Sequence, residues 1–103
     1  MENTDNNIKD MNVPDNIFVR HVISLHTGAL IFLGKIKNPI TGEEQKNIKE
    51  AKEIIDLLKE LKKKTENNLS EYENKIFDNA ITQLQYEYVK ETILDKNGNN
   101  KED

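Results

Sequence analysis

A chain of 103 residues, 35% hydrophobic and 33% charged, is sized for one domain with a thin stability margin. A net charge of −4, with lysines interleaved among acids, argues against nucleic acid as a partner, because that binding needs a basic footprint. The absence of cysteine excludes disulfide staples and thiolate chemistry, and it fits a reducing cytosol.

Residues 1–14, MENTDNNIKDMNVP, are polar and lack the basic and apolar parts of a secretion signal. They read as a disordered leader to a single domain over 15–95, and 96–103 reads as a disordered tail. The first helix is expected over about 15–33. Asp15 is its expected N-cap, and Gly34 is the residue expected to leave it in the left-handed conformation. On a helical wheel Phe18, Val19, Val22, Ile23, Leu25, His26, Ala29, Leu30, Phe32 and Leu33 fill an arc of about 180°, where a surface helix needs little over 100°. Arg20, His21, Ser24, Thr27 and Gly28 lie opposite, together with Ile17 and Ile31.

Three explanations of this excess compete. A membrane span is disfavoured: seventeen residues rise roughly 25 Å against a hydrocarbon core of about 30 Å, and Arg20 sits near the start. A metal site is disfavoured too. His21 and His26 are five residues apart, about 140° on the wheel, and the rest of the helix carries no acid. The third explanation is packing on another chain. Ser24 and Gly28, four apart, are small enough for close helix approach. The interface candidates are Phe18, Val22, Ser24, Leu25, His26, Gly28, Ala29 and Phe32. The first expected partner is a second copy, in an obligate homodimer or dimer of dimers with helix one central. An unidentified protein is the second.

KIKNPITGEEQK reads as a turn region, with Asn38-Pro39 breaking helix and Gly42 permitting a bend. Helix two is expected over about 48–66, opened by Asn47 with Glu50 three residues on. Its Ile48, Ala51, Ile54, Ile55, Leu57, Leu58 and Leu61 share one half of the wheel, and lysines and acids share the other. The run Lys62-Lys63-Lys64 reads as cations favoured near a helix C-terminus. Asp56 and Lys64-Thr65 read as structural, through inter-helix pairing and through Lys64 on the terminal carbonyls.

Asn67 or Asn68 is expected in the left-handed conformation, and Ser70 with Glu73 forms a capping box for helix three, over about 70–94. Ile76, Phe77, Ala80, Ile81, Leu84 and Tyr88 form its main stripe. Tyr72, Tyr86, Val89 and Ile93 fall outside it, which predicts a second contact for the distal half. The short connection makes helices two and three an antiparallel hairpin. No strand alternation is present. The expected fold is all-α, a strongly apolar N-terminal helix packed on a helical hairpin and assembled as a helical homo-oligomer.

The residues FV…V.SL.T.AL..LG, then NP.TGE, then A…ID.L..L..KT..NL, then L…YV carry a resemblance. They comprise Phe18, Val19, Ser24, Leu25, Thr27, Ala29, Leu30, Leu33 and Gly34; Asn38, Pro39, Thr41, Gly42 and Glu43; and Ala51, Ile55, Asp56, Leu58, Leu61, Lys64, Thr65, Asn68, Leu69, Leu84, Tyr88 and Val89. Over 18–89 the chain resembles the small bacterial domain-of-unknown-function family 1844. The resemblance implies a cytoplasmic bacterial protein with no assigned activity, and it carries no catalytic residue across. The chain departs from the family pattern at His21 and His26, where that pattern has apolar or small residues. It departs also at Asn67, where the pattern has glycine, and at Gln85, where it has arginine.

No Gly-rich phosphate loop, nucleophile elbow or zinc-ligand spacing is present, so no catalytic, metal or cofactor residue is assigned. The expected function is a non-enzymatic interaction and self-association module. Two alternatives stand beside it. One is a small-ligand binder or minor enzyme with a site between subunits, where His26, Thr27 and Tyr88 converge. The other is peripheral membrane attachment through helix one.

Overall fold

Asn16, rather than Asp15, starts the first helix. Its side-chain oxygen accepts from the backbone N–H groups of Phe18 at 2.9 Å and Val19 at 3.2 Å, two of the donors that a helix start leaves orphaned. The computed structural model describes residues 16–102, with side chains as far as Leu94; the expected leader at 1–14 lies outside the described residues. Three helices follow in order: α1, Ile17–Phe32; α2, Ile48–Lys64; and α3, Glu71–Glu102. Among the described residues there is no strand.

The stop signal of α1 acts as the sequence predicts. Gly34 adopts φ 81°, its N–H bonds the Ile31 carbonyl, and the Lys35 N–H bonds the Leu30 carbonyl, both at 2.9 Å. This is the double closure of a Schellman motif. The following loop is organised by Asn38. Its side-chain oxygen accepts from Ile40 N–H at 2.8 Å and Thr41 N–H at 3.3 Å, its amide reaches Gln45, and its carbonyl accepts from Gly42 N–H at 2.7 Å. Gly42 stands at φ 75°, so the NPITGE stretch is a compact turn closed on its own first side chain.

Asn47 caps α2 by accepting from Glu50 N–H at 3.1 Å. The reciprocal half of a capping box is absent. The Asn47 N–H donates instead to the Phe32 carbonyl at 2.7 Å, which ties the start of α2 to the end of α1. At the other end of α2 the terminal carbonyls of Leu61 and Lys62 are taken by the Thr65 hydroxyl, at 2.7 and 3.2 Å. Lys64, expected in that role, pairs with Glu60 at 3.3 Å. Asn67 takes the left-handed conformation at φ 70°. The capping box of α3 is complete in both directions: Ser70 N–H reaches Glu73 at 2.8 Å, and Glu73 N–H reaches the Ser70 hydroxyl at 3.1 Å. The backbone of α3 stays helical to Glu102, past the expected end near 94. Adding residues to an existing helix costs little, since nucleation is the expensive step.

Cross-contacts fix the topology. Asn16 donates to Glu73, the Phe18 ring lies 5.7 Å from that of Phe77, His26 meets Gln83, and Lys35 meets Glu91. Hence α1 and α3 run parallel, and α2 runs antiparallel to both. The core they enclose contains Val22, Ala29 and Leu33 of α1 and its cap, Ala51, Ile55 and Leu58 of α2, and Phe77 and Leu84 of α3.

Candidate functional site

The eight interface candidates on α1 divide. Val22 and Ala29 are 1% and 0% exposed and face the protomer's own core, so neither offers surface to a second chain. Phe18, Leu25 and Phe32 are half-buried against that same core. Ser24 is exposed and His26 half-buried. Gly28 faces α2 of its own chain, where an added Cβ stands 3.7 Å from the Ile54 side chain, an ordinary contact. Among the large apolar side chains of α1, Ile17 and Ile23 are left exposed. The surplus of apolar arc is thus smaller than the wheel suggests. The physical reason is that α1 lies against two helices, α2 and α3, which together cover more of its circumference than a single neighbour does. Gly28→Ala is therefore expected to stabilise the protein by about 1 kcal/mol through helix propensity, raising Tm by roughly 4–8 °C. Thermal unfolding followed by circular dichroism checks this, and a lower Tm would show a close approach at Gly28 that only glycine allows.

His21 is exposed, and His26 Nε2 lies 2.8 Å from Gln83 Oε1. His26 borders a shallow α1–α3 hollow of about 220 Å³, whereas Tyr88 lines a different one between α2 and α3. A single protomer does not bring these two side chains together. Among the described residues, no group of three His, Cys, Asp or Glu is placed to hold a metal ion, and no helix is long and apolar enough to cross a membrane.

Among the described residues, the distal half of α3 exposes several large apolar side chains close together in sequence. Tyr86, Val89 and Ile93 are 62%, 53% and 54% exposed, and their spacing of three then four residues puts them on one face. Leu94 is exposed beside them. These are largely the residues that fall outside the main stripe on the wheel. The ammonium of Lys90 lies 5.0 Å from the Tyr86 ring centroid and 3.7 Å from Glu87.

On the opposite side of α3 sits an ion cluster that pattern reading passes over. Glu91, 6% exposed, accepts from Lys35 and from Lys46, both at 2.7 Å. The two ammonium groups hold its carboxyl below the usual glutamate range, against the opposing effect of burial. Its hydrogen bond to Glu91 raises Lys35 above the usual lysine range. Glu87 Oε1, buried without a hydrogen bond of good geometry, faces Lys35 at 3.3 Å and Lys90 at 3.7 Å, so its charge is compensated. The cluster joins the loop after α1 to α3. Every charge in it is already matched, which is the chemistry of a clasp and not of a reactive centre. The signal available in the sequence was the phase of Glu91, an acid one turn beyond Tyr88 on the core-facing side.

Between α2 and α3, on the side away from α1, two hollows of about 590 and 410 Å³ share Lys59 as a lining residue. Asp56, expected to pair between helices, instead pairs with Lys52 of its own helix at 2.8 Å, and that bond holds its carboxyl below the usual aspartate range. Gln85 lines the same hollow as Asp56.

A family model, described as Domain of unknown function (DUF1844), matches residues 16–90. That span begins at the N-cap of α1 and ends one residue before Glu91, so it takes in α1, α2 and α3 as far as Lys90. No curated protein matches the chain, and no solved structure does.

Proposed function

The chain belongs to the DUF1844 family, whose description assigns no activity, and we propose that it is a non-catalytic interaction module that pairs with a second copy of itself through the distal half of α3. One observation carries this reading: the exposed face of Tyr86, Val89 and Ile93 on a helix that outruns its neighbours. Lys35, just past the end of α1, is pinned at Glu91, so α3 continues beyond the level at which α1 covers it. Exposed aliphatic and aromatic area favours burial at roughly 25 cal/mol per Å². A second copy offers the same face. Isologous pairing sets apolar side chains against apolar side chains and leaves Lys90, already held by Glu87, at the edge.

The wheel of α1 places the contact on helix one; the burial of Val22 and Ala29 favours α3 instead. Sedimentation equilibrium at low micromolar concentration is expected to give a dimer. Ile93→Asp, at an exposed position, is expected to weaken that dimer by about a hundredfold or more while leaving helicity unchanged, because it puts an unpaired carboxylate into the contact. Ser24→Arg, on the exposed side of α1, is expected to leave the dimer intact. A monomer in the unmodified protein overturns the reading, and dissociation by Ser24→Arg alone returns the contact to α1.

A further inference from the structure

We infer that the groove between α2 and α3 docks an acidic amphipathic helix of another protein, one carrying two carboxylates a single turn apart on the flank of its apolar face. The groove runs along α2 from Lys52 to Lys63, roughly 16 Å or three helical turns, and on to Glu66 past its end, which matches one short helix lying along it. Its floor is apolar, with Ile55, Ile81 and Tyr88 beneath. Such a floor and such a length suit a helix seated in a groove, with apolar anchors at helical spacing. A nucleic acid strand would need aromatic platforms, and Tyr88 is the one aromatic side chain lining the groove.

The rim identifies the partner's charge. The α3 side contributes uncharged Asn74, Gln85 and Val89, whereas the α2 side carries Lys52, Asp56, Lys59, Lys62 and Lys63, with Glu66 just past its end, a balance that stays basic. Lys52, Asp56, Lys59 and Lys63 fall at intervals of four, three and four residues, one row on the outer face of α2. Within that row Lys52 and Asp56 satisfy each other. Lys59 and Lys63 form no ion pair among the described residues, and they stand one turn apart. Two unmatched cations at that spacing on a chain of net charge −4 are complementary to a Glu-x-x-x-Glu flank. A second copy docked here by symmetry would set this row against itself, lysine near lysine. The groove adjoins the α3 face proposed for self-pairing at Val89, which belongs to both, but its unmatched lysines lie on α2, outside that face, so the two readings are told apart by substitutions at Lys59 and Lys63 against Ile93.

The test uses the full chain and a synthetic amphipathic peptide of about 15 residues, with leucines on one face and a Glu-x-x-x-Glu flank. A second peptide carries lysine in place of each glutamate. Amide chemical-shift mapping is expected to show the acidic peptide shifting Lys59, Lys63, Ile81 and Gln85, with salt-sensitive affinity. The double substitution Lys59→Glu and Lys63→Glu is expected to weaken that binding about tenfold or more. It should leave the sedimentation of the protein unchanged, whereas Ile93→Asp should do the reverse. No binding of the acidic peptide, or equal binding of the lysine peptide, overturns the inference. So does tighter binding of a single-stranded RNA oligonucleotide at the same residues. Binding that emerges only once residues 1–15 are deleted also overturns it, by showing that the chain fills its own groove.

Discussion

Phe77→Ala is expected to cost the protein about 3–5 kcal/mol, the usual result of emptying a fully buried aromatic site. Phe77 is 1% exposed and sits in a core built from all three helices. Its ring lies 5.7 Å from that of Phe18, at an interplanar angle of 46°, within the range where aromatic pairs add about 0.5–1.5 kcal/mol beyond the area they bury. The Phe18 ring would then face a cavity as well. A domain of this length has a stability of roughly 5–15 kcal/mol, so one substitution removes a large part of it. The drop in Tm is expected to exceed about 12 °C, read by thermal unfolding followed by circular dichroism. Phe77→Leu, which keeps most of the volume, is expected to cost about 1.5 kcal/mol or less. A loss below about 1 kcal/mol for Phe77→Ala would mean that the three helices do not share this residue as their centre.

The features legible in the sequence were those decided within a few residues. Gly34, the Asn67-Asn68 pair and the Ser70–Glu73 box each act through backbone geometry or hydrogen bonds within about six residues; Gly34 and the box are found where their patterns placed them, and of the two asparagines it is Asn67 that turns left-handed. The same holds for the core face of α2, where a single period of 3.6 residues separates Ala51, Ile55 and Leu58 from the lysines. What escaped was decided at long range. Asp15 and Asn16 are equally good N-caps by type, and what sets Asn16 apart is that its amide also reaches Glu73, 57 residues away. The apolar arc of α1 was correctly drawn. A wheel, however, counts apolar residues and not the number of neighbouring helices, and α1 has two. The distal face of α3 was visible as residues off the main stripe, though not as a surface left exposed by its neighbours. Asp56 was expected to pair between helices and Lys64 to hold terminal carbonyls, yet each finds a partner on its own helix, four residues away.

Glu91 presents the opposite case, a residue without a local motif whose removal carries the second large effect. Glu91→Ala is expected to cost about 2–3 kcal/mol, because it deletes the shared acceptor of two charged donors. The figure stays below that for a wholly buried ion pair, since Lys35 and Lys46 keep enough exposure to be hydrated once released. The carboxyl of Glu91 is held below its ordinary value near 4.5 by Lys35 first and Lys46 second. A group whose folded pKa is depressed contributes stability above its unfolded pKa and loses it as the pH falls through the folded one. The penalty for Glu91→Ala should therefore be full at neutral pH and start to shrink below about 4.5, approaching zero only in stronger acid. Lys35 is displaced in the other direction, above its ordinary 10.5, so its share persists from neutral pH up to that value and fades beyond it. Urea unfolding of both proteins across the acid range measures the difference directly. A penalty that stays constant down to strong acid would show that Glu91 acts by packing alone and that its two ammonium partners add nothing to the fold.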